Sequence, residues 1–344
     1  MATANSKGTS LSGLRSTQQR TLIWESGGQA AEEWAVVREL ALRHLDRFIS
    51  LHPKVLRGDD PEAIHDIRVA SRRTQQVVDL LYPKPRPKAV RRLRRRVRRC
   101  RRALSEVRNC DVLLERVERA LRRKRVARRR AWAAVRDYLS EKRAETLEEA
   151  TEQLSGFKFG VLYVGLKEAI ESGPIAESAG DAAAAGAQIV PFSRRVIESL
   201  QRLWQEFETQ VLESHREPDA SKLHGVRIAA KGLRYLIEVV AELKVEGSEA
   251  GLGWLKRLQQ QLGDWHDLEV MEQAMAETVA RPKFLRRNVE QAIDVQQLIL
   301  RNRRRKHSYE EKYYRMTMDT AEWKGLNEWV RMLMTSPEAM VIRP

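Results

Sequence analysis

Cysteine is nearly missing from this chain of 344 residues, with Cys100 and Cys110 the only two. They lie ten residues apart on one predicted helix. At about 1.5 Å rise per residue that places them roughly 15 Å from each other, too far to bridge. A disulfide scaffold is excluded, and buried thiols in a reducing compartment are expected. Runs of β-branched residues are short and few, whereas Ala, Leu, Arg and Glu favour helix. No stretch approaches the roughly 18 apolar residues of a membrane span, so no membrane partner is expected. The opening MATANSKGTSLSGLRSTQQR has no long apolar core of the signal-peptide kind and reads as a disordered lead-in. A cytoplasmic location is the expectation. There is no Walker-type phosphate loop and no paired-carboxylate motif. No two His residues fall at i, i+3 or i+4, and no acidic cluster completes a metal shell. Neither cofactor nor metal is expected.

Acid is also missing where base is densest. Lys and Arg total 63 against 47 Asp and Glu, a formal net charge of +16. Between Lys84 and Arg130 the counts are 22 basic to 4 acidic, so the remainder carries 41 to 43 and is nearly neutral. One segment therefore supplies the basic character, and such a focus attracts a polyanion.

Apolar spacing then marks helices. A first helix spans 31–51 through Trp34, Val37, Ala41, Leu45 and Phe48. Asp59–Asp60–Pro61 is an acidic cap with Pro at the first turn, opening a helix that stops near Tyr82. A long third helix is predicted over 87–119 and a fourth over 120–153. The Gly/Ala/Ser-rich GPIAESAGDAAAAGAQIVP reads as a linker. Beyond it, helices are predicted over 192–214, 219–244 and 249–279, the last with a break at LGDWHD, and one or two more run to about Met334 with a boundary at Pro282. The expected organisation is a disordered 1–29, a first helical bundle 30–170, a flexible linker 171–191, a second bundle 192–335 and a tail 336–344.

The two halves repeat one another. IHDIRVASRRTQQVVDLL holds His65, Arg68, Arg72 and Arg73, and LHGVRIAAKGLRYLIEVV holds His224, Arg227, Lys231 and Arg234. An offset of 159 aligns His65 with His224, Arg68 with Arg227 and Arg72 with Lys231. LSEVRNCDVL from Leu104 and LGDWHDLEVM from Leu262 follow at an offset of 158. Two ordered matches at nearly one offset point to a helical unit built twice.

On each signature helix a 3, 4, 3, 4 stripe forms a core face: Ile64, Ile67, Ser71, Thr74 and Val78, then Leu223, Val226, Ala230, Leu233 and Ile237. His65, Arg68, Arg72 and Gln75 lie about 100° around from it, and His224, Arg227, Lys231 and Arg234 match them. Like charges so spaced repel, and an anion would neutralise them; the alternative is pairing with acids of neighbouring helices. In the third helix nine of the twelve residues from Arg91 to Arg102 are Arg. Leu93, Val97, Cys100, Leu104 and Val107 make an apolar seam through that run, continued by Cys110, Leu114, Val117 and Leu121, so it is an amphipathic helix with a basic outer face. Leu255, Leu258, Leu262 and Trp265 repeat the seam, and Arg98 with Lys256 and Arg99 with Arg257 are the basic places shared. Arg94, Arg98 and Arg102 join the signature edges as candidate anion ligands, since the Arg fork grips phosphate oxygens bidentately.

The His-x-x-Arg-x-x-x-[Arg/Lys] helix, the basic third helix, the L-[GS]-x-x-[RH]-[DN] motif and the repeat together resemble the CHAD family, the conserved histidine α-helical domain, from about residue 30 to 335. The resemblance implies an all-α fold of two pseudo-symmetric antiparallel four-helix bundles around a basic cavity or channel. It implies binding of inorganic polyphosphate and association with polyphosphate granules. By position, the lining would be His65, Arg68, Arg72, His224, Arg227 and Lys231, joined by Arg98 and Lys256. The chain departs from the pattern at Ser105, where the second copy has Gly263, at Asn109 opposite Asp267, and at Gly232 opposite Arg73. It has no Glu-x-Glu-x-Lys start of a triphosphate-tunnel domain, so a stand-alone, non-catalytic binding domain is expected.

Two other classes stay open. Nucleic acid could lie along helix 87–119, although no aromatic residue interrupts the Arg run to stack bases. A phosphohistidine or metal-dependent enzyme could use His65, His224 or His266. If the His pair contacts phosphate, affinity should rise as pH falls through about 6.5.

Overall fold

The structure, a computed structural model, describes residues 12–58, 60–123, 128–185, 191–336 and 340–342. Among them the chain forms thirteen helices and no strand. The first half contains α1 (Ser12–Ser50), the short α2 (His52–Arg57), α3 (Pro61–Leu81), α4 (Lys88–Ala103), α5 (Ser105–Leu121), α6 (Arg129–Ser155) and α7 (Phe159–Ala185). The second contains α8 (Phe192–Arg216), α9 (Ala220–Glu242), α10 (Ser248–Ala280), the short α11 (Pro282–Arg287), α12 (Val289–Met316) and α13 (Ala321–Thr335).

The signature helices α3 and α9 start in the same way. Asp60 caps α3 by accepting from the Glu62 N–H at 2.9 Å, with Pro61 in the first turn. Asp219 caps α9 by accepting from the Ser221 N–H at 2.9 Å. Each carboxylate satisfies an orphan donor and sits on the positive end of the helix dipole. All ten stripe residues, from Ile64 to Val78 and from Leu223 to Ile237, are buried.

Packing divides the helices into two layers. In the first half α3 packs on α1 and α4, and α7 on α1 and α4; in the second α9 packs on α8 and α10, and α13 on α8 and α10. These share one continuous core, because α3 also packs on α8 and α9, and α1 on α8. The distal layer is built from α5, α6, α12 and the C-terminal part of α10 around a second, smaller core of Leu113, Val117, Val135, Leu139, Met271, Met275, Val295 and Leu298. Helices of the two halves thus pack on one another in both layers.

Several local expectations change. Residues 1–11 of the expected lead-in lie outside the described residues, and 12–29 belong to α1. The expected linker 171–191 is helical in α7 as far as Ala185, where Ala-rich GDAAAA has high helix propensity; residues 186–190 lie outside the description. From the tail, Met340 and Ile342 are buried in the larger core. The single helix expected over 87–119 is broken at Leu104, and the break expected at LGDWHD is absent, since α10 runs through it for 33 residues. Arg68 explains the first difference. The Arg101 carbonyl, which an unbroken helix would offer to the Ser105 N–H, accepts from Arg68 Nη1 at 2.8 Å and from the Ser105 hydroxyl at 3.2 Å. A side chain inserted into the helical ladder is a recognised cause of a kink. In α10, Gly263 costs about 1 kcal/mol of helix propensity, and burial of Leu262 and Trp265 beside it offsets that.

Candidate functional site

The signature edges of α3 and α9 meet across the join between the halves. Arg72 Nη1 donates to the Tyr235 hydroxyl at 2.9 Å, 163 residues away in sequence. The guanidinium of Arg234 lies 4.6 Å from the same ring, close enough for cation–π attraction. Lys231 of α9 belongs to the same cluster, its ammonium pushed down to about 7 by burial and then by Arg227, Arg72, Arg68 and Arg234. Burial disfavours the charged amine, and neighbouring cations disfavour it further.

The other members show the same crowding. Arg68 is lowered to about 10 by burial, then by Arg72, Arg101 and Arg108. Arg101 is lowered to about 10 by burial, then by Arg72, with Arg98 and Arg94 adding to the effect. Arg227 is lowered by burial although the Asp267 carboxylate opposes the shift. That carboxylate is held by Arg116 at 2.9 Å. His266 is driven down to about 4 by burial, Arg227, His224 and Lys231, and its ring centroid lies 5.6 Å from that of His224. His65 is lowered by burial and then by Arg108. Inside the cluster, Arg227 Nε, Arg101 Nη1 and His266 Nδ1 are buried with no hydrogen-bond partner among the described residues. Buried donors without partners are rare. Arg227 Nε and Arg101 Nη1 are therefore donors free to meet an acceptor.

Not every candidate from the sequence faces this cluster. His65, Arg68, Arg72, His224, Arg227 and Lys231 do. Arg94 is fixed bidentately on Asp79, at 2.5 and 2.8 Å. Arg234 and Arg73 share one buried carboxylate, Glu238, at 3.0 and 3.9 Å. Arg102 is exposed and lines a surface depression with Arg99, Glu106, Thr146 and Glu149, on the side of α4 that faces α6. Arg98 is exposed and acts on the cluster through Arg101; Lys256 is exposed on α10. At Gly232, opposite Arg73 in the repeat, a Cβ would make an ordinary contact with Leu203 of α8 at 3.4 Å.

Sequence reasoning did not select Arg101, Arg108, Tyr235 or His266 as anion ligands. A signal existed for two of them. Arg108 and His266 occupy equivalent places of the repeated L-[GS]-x-x-[RH]-[DN] motif, a basic residue in each copy. Tyr235 carried none, because its role depends on Arg72 from the other half.

Chemically the cluster is a set of Arg forks, one lysine and three imidazoles, of which His65 and His266 are of lowered basicity. It suits the oxygens of tetrahedral oxyanions. Among the described residues no group of three or more His, Cys, Asp and Glu side chains is placed to hold a metal ion, and no helix is long and apolar enough to cross a membrane.

A family model described as the CHAD domain matches residues 39–276. Two solved structures share the fold. The CHAD domain from the plant Ricinus communis is 18% identical with a TM-score of 0.59, over 87% of this chain and 91% of that one. PptA from Streptomyces chartreusis is 14% identical with a TM-score of 0.58, over 82% of this chain and 98% of that one. No curated protein matches the chain.

Proposed function

This chain belongs to the CHAD family, and we propose that it binds inorganic polyphosphate, without catalysis, between the signature edges of α3 and α9. The observation that carries the reading is a group of half-buried cations that make no ion pair among the described residues: Arg72, Arg227 and Lys231 act on one another across the halves. A linear chain bearing a negative charge at every phosphate would restore the positive state of Lys231 and give Arg227 Nε and Arg101 Nη1 acceptors. Arg68 contributes field, since its hydrogen bonds go to the Arg101 carbonyl and the Ser105 hydroxyl. Binding in the cytoplasm at polyphosphate granules follows from the same reading, and imaging a tagged chain beside stained granules tests it.

The nucleic-acid alternative has its own surface. Arg91, Arg92, Arg95, Arg98, Arg99 and Arg102 of α4 are all exposed, as an electrostatic track for a phosphate backbone requires. Competition at physiological ionic strength separates the two. Labelled long-chain polyphosphate is challenged with duplex DNA, RNA and heparin at matched charge. Preference for polyphosphate, lost at least tenfold in Arg227→Glu and little changed in the Arg95→Glu/Arg99→Glu double variant, is the expected result. Equal displacement by DNA, with Arg227→Glu harmless and the α4 variant defective, would move the function to the α4 face.

A further inference from the structure

The distal layer contains a cavity of about 240 Å³ that the proposed function does not use. Helix α5 packs on α6 and α10, α12 packs on the same two, and the cavity fills the gap between α5 and α12. Its floor is hydrocarbon and thioether: Leu268, Met271, Met275 and Leu298 are buried, and half-buried Trp132 closes one side. Its rim is Arg116, Arg119 and Arg123 from the α5 side and Arg301 and Arg305 from α12, with no acid in the lining. Arg116 is already held by Asp264 and Asp267, and Arg119 by Glu115. Arg123, Arg301 and Arg305 have no ion pair among the described residues.

We propose that this cavity binds a single-chain amphiphile, an unbranched hydrocarbon tail ending in a carboxylate or phosphate. The tail would lie on the methionine floor, and the head would meet Arg123, Arg301 and Arg305. Flexible, polarisable Met side chains adapt to an alkyl chain better than a rigid wall does. A nucleotide fits less well. Asn302 is the one uncharged polar side chain in the lining, and its amide is committed to the Leu268 carbonyl at 2.7 Å. Away from the Arg rim, the floor offers the polar edge of a base few partners, a penalty that an alkyl tail does not incur.

Calorimetric titration of the full chain with linear carboxylates from hexanoate to dodecanoate, with dodecyl phosphate and with ATP, all below micelle concentrations, tests this. Affinity is expected to rise about fourfold per added methylene until the floor is filled. The Arg301→Glu/Arg305→Glu double variant, whose changes are solvent-exposed, is expected to weaken dodecanoate at least tenfold while polyphosphate binding stays within twofold. Comparing dodecanoate with dodecyl phosphate identifies the preferred head. An affinity independent of tail length, an unchanged affinity in the double variant, or ATP binding as tightly as dodecanoate would each overturn the proposal.

Discussion

Burial, and then the charges of Arg227, Arg72, Arg68 and Arg234, push the Lys231 ammonium down to about 7. An unfolded lysine titrates near 10.4, so the unfolded chain holds that proton more tightly than the empty folded one. The empty protein should therefore gain stability as pH rises from about 7 toward 10, and lack that gain below 7. Lys231→Met should raise thermal stability at pH 6 by about 1–3 kcal/mol, since it removes a crowded charge, and should weaken polyphosphate at least tenfold; melting curves and titrations read the two effects. A bound polyanion favours the charged amine, so wild-type affinity should fall as pH rises through about 7. The Lys231→Arg variant should bind with little pH dependence over that range. The sequence alone directs attention to His65 and His224 near 6.5. Burial lowers His65, and it holds His266, the repeat-equivalent of Arg108, near 4.

Helices α3 and α9 show how far an amphipathic pattern reaches. Their core faces follow from residue spacing, and Leu233 on one of them is fully buried. Leu233→Ala should cost about 2–5 kcal/mol, whereas Ile228→Ala, 55% exposed on the same helix, should change stability by less than about 0.5 kcal/mol; chemical denaturation of the two variants compares them directly. The seam of the Arg-rich helix is equally legible, since Val97, Cys100, Leu104 and Val107 are all buried. Its break at Leu104 is not, because it arises from a guanidinium brought in from α3. Ser105 accepts from Arg68 Nη1 at 2.9 Å while donating to the Arg101 carbonyl. The equivalent Gly263 offers no hydroxyl, and α10 continues straight through.

At the scale of the molecule, one core joins both halves, with α3 against α8 and α9, and the distal layer draws on both halves again. Unfolding should accordingly be a single cooperative transition, with tryptophan fluorescence and helical circular dichroism coincident in denaturant; two separated transitions would indicate independent halves. Binding should be strongly salt-dependent. With about four cations engaged, log affinity should fall against log salt with a slope near −3, taking the single-strand polyelectrolyte value of about 0.7 per contact. Arg227→Gln should reduce the slope by less than one, and measurements between 50 and 300 mM salt resolve the change.

The sequence by itself determined the all-helical class, the duplication, the buried stripes, the capped starts of α3 and α9, and the identity of the basic edges. Those depend on local spacing and on chemistry repeated at one offset. Only the tertiary structure decided which cations remain without an acid. Arg94 pairs with Asp79, and Arg73 and Arg234 share Glu238, whereas Arg72, Arg227 and Lys231 make no ion pair among the described residues. An ion pair or a desolvated amine depends on which helices are brought within a few ångströms, and here the deciding contact, Arg72 to Tyr235, spans 163 residues of chain.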